Sequence, residues 1–283
     1  MKRKRKKRDR LLAVLFAVLS VIVLFPAVYV LCNSFMSPQE AVQRYGALAS
    51  GSGTLDLSLL PGTFSVQGYV QVFLRRTAYW LRFWRTLAMC GAIVAGQLLV
   101  SILGGFAFAK YSFPGRRWLF YLLVVLMLMP VQVTLVPNYI VLERLNLLDS
   151  YGALILPAMF LPFGTFLMTQ IFKSVPDEVL QAGQIDGAGT LTLLFRVLLP
   201  AGRAGAVSLC LLTFIDAWNM VEQPLAFLRD SEMYPFSVFL ASTSRDALAV
   251  VFPCGVLAML PVLLLFWFFN EELVEGIEFT GIK

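Results

Sequence analysis

Histidine is absent from the 283 residues, and only 14% of them are charged. The first absence removes the commonest transition-metal ligand and the usual acid–base side chain near neutral pH. The second falls well short of the roughly 25% charge of soluble domains, so the chain cannot clothe a water-facing globule. Cys32, Cys90, Cys210 and Cys254 form no C-x-x-C pair and lie within or at the ends of apolar runs. They read as small buried side chains, with no metal site or disulfide framework implied. No G-x-x-x-x-G-K-[ST] stretch occurs, so the chain carries no phosphate-cradling loop of its own. Strand-length alternation of polar and apolar residues is also missing, which argues against a membrane β-barrel.

What is present is hydrocarbon-compatible sequence: 59% of residues are hydrophobic and the mean hydropathy is +0.77. A bilayer core of about 30 Å takes roughly 20 apolar residues per helical crossing. Six runs fit, at about 11–32, 84–110, 118–137, 151–172, 204–221 and 250–270. Backbone in lipid must satisfy its own hydrogen bonds, so all six are expected to be helices. The expectation is an all-α membrane protein with six transmembrane helices. A basic N-terminus (1–10) and a first helix (11–32) precede an outer loop (33–83), a membrane core (84–270) and a short tail (271–283).

Basic residues near the ends of crossings are retained on the cytoplasmic side. With the N-terminus inside, the inner segments hold Lys2, Arg3, Lys4, Arg5, Lys6, Lys7, Arg8, Arg10, Lys110, Arg116, Arg117, Lys173, Arg196, Arg203 and Lys283. The outer loops hold Arg44, Arg75, Arg76, Arg82, Arg85, Arg144, Arg229 and Arg245. The bias predicts a multi-pass protein of the cell membrane with both termini cytoplasmic, and the polar segment 173–203 cytoplasmic with them. The leading M-K-R-K-R-K-K-R-D-R abuts an apolar helix, so it is expected to meet anionic lipid headgroups rather than nucleic acid. The run 11–32 exceeds the 7–15 residue core usual in a cleaved signal peptide, and no A-x-A site follows, which predicts a retained helix.

In the outer loop G-A-L-A-S-G-S-G-T, from Gly46, is expected to be a flexible connector, and the apolar and turn residues after it a short helix at the outer surface. Pro114 and Gly115 predict a tight turn that makes the second and third crossings an antiparallel hairpin. Pro130 and Pro137 late in the third crossing, and Pro157 and Pro162 in the fourth, predict kinks.

The segment 173–203 is too polar for lipid. In S-V-P-D-E, Ser174 is expected to cap a helix, Pro176 to stand in its first turn, and Asp177 and Glu178 to favour its positive end. Val179, Leu180 and Ala182 supply apolar surface. I-D-G-A-G then breaks the run: Gly187 and Gly189 can take positive φ, and Asp186 can cap a second helix that ends at Pro200. The product is a helix, a glycine elbow and another helix, with a tip that fits a groove on a partner protein.

At these residues the chain resembles the permease subunits of ABC importers. Their signature runs E-A-A, three residues, G, nine residues, I-x-L-P, and here it reads Gln181, Ala182, Gly183, Gly187, Val197, Leu199 and Pro200. The surrounding V-P-x-E-x-x-x-A-x-x-I-D-G-A, with Pro176, Glu178 and Asp186, is similar to the carbohydrate branch. So are F-A-F-A-K-Y-S-F-P-G-R-R from Phe106, M-P-V-Q-V-T-L-V-P-N-Y from Met129, the pair Trp218 and Asn219, and the terminal G-I-E-F-T-G-I-K. Over residues 60–283 the pattern resembles the maltose-type G subunit. Gln181 stands where the signature has glutamate and Gly183 where it has its second alanine.

The resemblance implies a type I importer permease fold in which 173–203 is a cytoplasmic coupling loop. It further implies a second permease of the F type, two ABC ATPase subunits or domains that bind ATP and Mg, an extracytoplasmic solute-binding protein and a carbohydrate substrate. The permease itself is then not an enzyme and holds no cofactor. Asp216, in T-F-I-D-A-W-N-M, is the one carboxylate inside a predicted crossing and should face the bundle interior or a cavity. Asp216, Asn219 and Gln132 would suit sugar hydroxyls, and Trp218 offers a stacking face. A pairing of Asp216 with a partner helix, or a position near the outer interface, stays open, as does the alternative that the chain is a self-sufficient secondary transporter or channel.

Overall fold

The computed structural model describes residues 2–49, 58–75, 77–241 and 245–280. These are almost wholly helical; the sole strand-like pairing among them is an isolated bridge from Met36 to Phe64. Twelve helices matter here. They are α1 Lys2–Asn33, α2 Pro38–Ala49, α3 Thr77–Lys110, α4 Arg116–Met127, α5 Val131–Arg144, α6 Gly152–Met159, α7 Pro162–Ser174, α8 Asp177–Ile185, α9 Thr190–Ala201, α10 Arg203–Trp218, α11 Glu222–Phe227 and α12 Val251–Thr280.

Among the described residues four helical stretches are long and apolar enough to cross a membrane: Leu12–Asn33, Ala78–Lys110, Gly152–Ser174 and Val251–Glu271. Two further pairs reach six only if each is taken as one broken span, α4 with α5 bent by 108° and α9 with α10 bent by 80°. The third expected crossing is therefore no kinked rod. Pro130 is extended at the N-cap of α5 (φ −67°, ψ 147°), and a residue before or at proline leaves the helical region readily. The basic N-terminal run is helical from Lys2, and the final helix reaches Thr280, past the expected boundary at 271.

Two compact units share the chain. The first holds Met1–Trp80 and Leu240–Leu260. In it Glu40 of α2 accepts from the backbone N–H of Gly62 at 2.7 Å and pairs with Arg44 at 2.7 Å, tying the loop after α2 back onto that helix. Phe35 stacks on Phe64 with centroids 4.8 Å apart, and Tyr69 donates to the buried Ser34 hydroxyl at 2.8 Å. The expected flexible connector is thus partly helix, since Gly46 to Ala49 belong to α2; residues 50–54 lie outside the described residues. The expected short helix is present at Gln67–Val70, continued by a π turn over Gln71–Arg75.

The second unit, Leu81–Phe239 with Pro261–Lys283, holds α4 to α11 and most of α3. Its packing is close because small residues bring backbones together. A Cβ on Gly105 of α3 would stand 2.6 Å from Met168 Cβ and 2.9 Å from its backbone carbon. The turn before α4 uses Gly115 at φ +81°, as Pro114 and Gly115 predict. Phe120 of α4 then reaches both Phe108 of α3, at 5.5 Å, and Phe166 of α7, at 5.9 Å.

Candidate functional site: a lever and a polar-walled cavity

The lever begins where α7 ends. Ser174 is the last residue of α7 and donates to Ile171 O at 2.7 Å, so it does not cap α8 as expected. Pro176 takes the N-cap position in an extended conformation, one residue earlier than the first turn. Lys110, from the end of α3, holds the junction instead: its Nζ donates to Val175 O and to Asp177 Oδ1, each at 2.6 Å. Of the four apolar residues in α8 only Leu180 is buried. Val179 and Ala182 face outward, and Ile185 is 87% exposed. Glu178 and Gln181 lie on the exposed side as well.

Gly187 ends α8 in the left-handed region at φ +81°. Its N–H bonds to Gln184 O at 3.0 Å and the N–H of Ala188 bonds to Gly183 O at 2.9 Å, the paired bonds of a Schellman cap. Gly189, by contrast, is extended (φ −72°, ψ 165°) and is the N-cap of α9, while Asp186 closes α8 and caps nothing after it. The elbow therefore needs one glycine for conformation. Gly183 serves packing: a Cβ there would approach Leu193 Cδ2 at 2.7 Å.

α9 runs one residue past Pro200 by way of a π segment at Leu194–Leu198. Widening a helix by a turn of this kind is a common way to absorb a disrupted hydrogen-bond ladder. Leu193, Leu194 and Leu198 of α9 join Leu180, Phe106, Met168, Phe172 and Leu209 in one buried cluster. Burying each leucine contributes about 1.5–3 kcal/mol, so the lever is seated on the bundle at its root while its outer face stays bare.

In the same unit a cavity of about 500 Å³ opens between α3, α5, α6, α7, α10 and α11. Its wall is apolar apart from Gln97, Thr134, Asn138, Thr213, Asp216, Asn219 and Gln223. Asp216 lies two residues from the C-terminal end of α10, not at mid-helix, and reaches the wall with Asn219. Trp218 does not. Its ring is 4% exposed, stacked on Phe214 at 5.6 Å and edge-on to Phe83 at 5.5 Å. Gln132 is also off the wall: its Nε2 donates to both carboxylate oxygens of Glu222, at 2.9 and 3.0 Å, linking α5 to α11.

Gln97 is a wall residue that the sequence reading passed over. Its Nε2 donates to Leu161 O at 2.9 Å, at the extended residue between α6 and α7, and its Oε1 is buried without a partner. An amide inside the run G-A-I-V-A-G-Q-L-L-V was the available signal, since polar groups in such runs are costly and usually functional. Near α11, Asp149 (φ +59°) accepts from the backbone N–H of Arg229 at 2.9 Å and of Asp230 at 3.1 Å. These two bonds hold its carboxyl below the ordinary carboxylate range.

A helical membrane bundle with a polar-walled cavity on one element set and a seated, outward-facing lever on another is a solute permease. The chain belongs to the binding-protein-dependent transport system inner membrane component family, whose model matches residues 100–271. Over 276 residues it is 27% identical to the arabinooligosaccharides transport system permease protein AraQ of Halalkalibacterium halodurans, covering 96% of each chain. It is 28% identical over 276 residues to the sn-glycerol-3-phosphate transport system permease protein UgpE of Brucella abortus, covering 91% of each. Its fold matches a chain in the crystal structure of a bacterial ABC transporter involved in import of the acidic polysaccharide alginate. The TM-score is 0.78 at 22% identity, over 95% of this chain and 97% of that one.

Proposed function

We propose that this chain is one of two permease subunits of an ATP-driven importer for a carbohydrate or a similar polyol, and that the α8 lever couples it to a separate ATPase. The observation that carries the reading is Ile185. An isoleucine 87% exposed, on a helix that also bears Asp177, Glu178, Gln181 and Gln184, is unsuited both to lipid and to water. It suits a groove on another protein. Pro176, Ala182, Gly183, Asp186, Gly187 and Pro200 shape the lever that presents it. The relatives named for arabinooligosaccharide and glycerol-phosphate transport support the solute class.

On this reading the ATPase, not this chain, binds ATP and Mg; a second permease completes the path; and an extracytoplasmic binding protein delivers the solute. The protein sits in the bacterial or archaeal inner membrane with both termini and the lever cytoplasmic. Asp216 and Asn219 line the path, while Gln132 and Trp218 support its frame.

The test is uptake into proteoliposomes holding this chain, its partner permease, the ATPase and the binding protein. Uptake is expected to need ATP inside and binding protein outside, and Ile185→Asp is expected to lower it at least tenfold without disturbing assembly of the two permeases. Uptake by this chain alone, without ATP, would establish a secondary transporter instead.

A further inference from the structure

We infer that the cavity is selective by charge: it admits uncharged, hydroxyl-rich solutes and turns anionic ones away. The inference deepens the importer reading and rests on it for the claim that the cavity is part of the path.

Three observations converge. The cavity wall contains Asp216 and no lysine or arginine. Among the described residues no cation pairs with Asp216, so the only formal charge the wall offers is negative. An entering phosphate or uronate would therefore leave water for apolar walls with no counter-charge, and would face a like charge besides. The remaining polar wall is made of amides and hydroxyls: Gln97, Thr134, Asn138, Thr213, Asn219 and Gln223. These exchange hydrogen bonds with hydroxyl groups and neutralise nothing.

Gln97 sharpens this. It is 2% exposed, its Nε2 is spent on Leu161 O and Ser101 Oγ, and its Oε1 has no partner. A buried acceptor left unsatisfied favours a ligand that brings a donor. A sugar hydroxyl donates, whereas a fully ionised phosphate or carboxylate group only accepts. Gly164 of α7 makes room for this amide, because a Cβ there would collide with Gln97 and Ser101. The relatives include both an uncharged cargo, arabinooligosaccharides, and an anionic one, glycerol phosphate. The wall chemistry puts this chain on the uncharged side.

The experiment reads the cavity directly, so that it does not depend on which solute the binding protein selects. A single reporter thiol, Asn138→Cys, is placed in the assembled transporter after Cys32, Cys90, Cys210 and Cys254 are replaced by alanine. It is reacted with a cationic trimethylammonium-ethyl and an anionic sulfonatoethyl methanethiosulfonate of similar size. Charged low-dielectric clefts bias encounter rates by about 10–1000-fold. The cationic reagent is expected to lead by about tenfold or more over the ratio seen with a free thiol, and Asp216→Asn is expected to remove most of that lead. Gln223→Cys provides a second reporter if either variant fails to assemble. Equal normalised rates at both reporters, or a lead that survives Asp216→Asn, overturn the inference. Failure of ATP-driven uptake with the thiol ratio intact strikes the importer reading and leaves the charge selectivity standing.

Discussion

Lys110 and Asp177 meet at 2.6 Å across the junction between the end of α3 and the start of α8, with the carbonyl of Val175 accepting from the same ammonium. The lysine side chain is 8% exposed and the aspartate 73%. An exposed ion pair contributes under about 1 kcal/mol, whereas a hydrogen bond from a charged group to a shielded carbonyl contributes about 1.5–3 kcal/mol. The carbonyl contact therefore dominates. Lys110→Met should raise hydrogen exchange across 175–185 by about tenfold or more, and Asp177→Asn by much less. Equal effects of the two substitutions would mean that the ion pair, not the carbonyl bond, anchors the lever.

Gly187 is the conformational pivot of the elbow, at φ +81° with open space around it. A Cβ there meets no neighbour, so a substitution costs only backbone strain, about 1–2 kcal/mol for most residues and less for asparagine. Gly187→Val should lower ATP-driven uptake strongly and Gly187→Asn mildly, with membrane levels of the protein unchanged. Gly183→Ala gains about 0.5–1 kcal/mol of helix propensity and loses a similar amount against Leu193. It should be close to neutral in thermal unfolding.

Gly105 and Gly91 lie on the same helix in opposite situations. Gly105 faces the backbone of Met168 at 2.9 Å, whereas a Cβ on Gly91 finds nothing within 4 Å. Overpacking against backbone costs about 1–3 kcal/mol or more. In detergent, Gly105→Ala should lower the thermal midpoint by several degrees and Gly91→Ala should leave it unchanged or slightly raised.

Asp149 links stability to acid. The backbone N–H groups of Arg229 and Asp230 hold its folded pKa below the usual carboxylate value of about 3.9. Its contribution is therefore complete above that value and is lost as pH falls through the lower folded one. The difference in thermal midpoint between the wild type and Asp149→Ala should be constant from about pH 7 to 5 and shrink below about pH 4. A difference that grows on acidification would contradict the hydrogen-bond assignment.

The apolar runs and the glycine elbow were legible because they follow from one-dimensional rules, residues needed to cross lipid and glycine where the chain must turn, whereas the G-x9-V-x-L-P spacing was legible only through the resemblance to importer permeases. The breaks were not. Pro130 announces a disturbance, yet nothing in the residues around it distinguishes a kink from a 108° turn, which depends on what α4 and α5 each pack against. The capping roles expected of Ser174 and Asp186 failed for a related reason. Each has two helices within reach, and the Schellman cap at Gly187 with Lys110 at Val175 already satisfies the ends in question. Trp218 and Asp216 are two residues apart and were expected to act together. The turn of α10 instead sends one to the cavity wall and the other into a cage of phenylalanines. Gln97 was legible as an amide inside an apolar run, while its place on the wall depends on the break between α6 and α7 at Leu161, whose carbonyl it bonds.

The 80° angle between α9 and α10 governs what kind of motion can pass from the lever to the cavity. Two rods joined nearly at right angles behave as a crank: a push along the first arrives at the second almost wholly as sideways swing, with little sliding. α10 is 16 residues long, about 24 Å, so a swing of about 5° at Arg203 carries its far end about 2 Å. That far end bears Asp216. On the proposed coupling, a small tilt at the root of α10 is therefore returned as a larger displacement at the cavity wall.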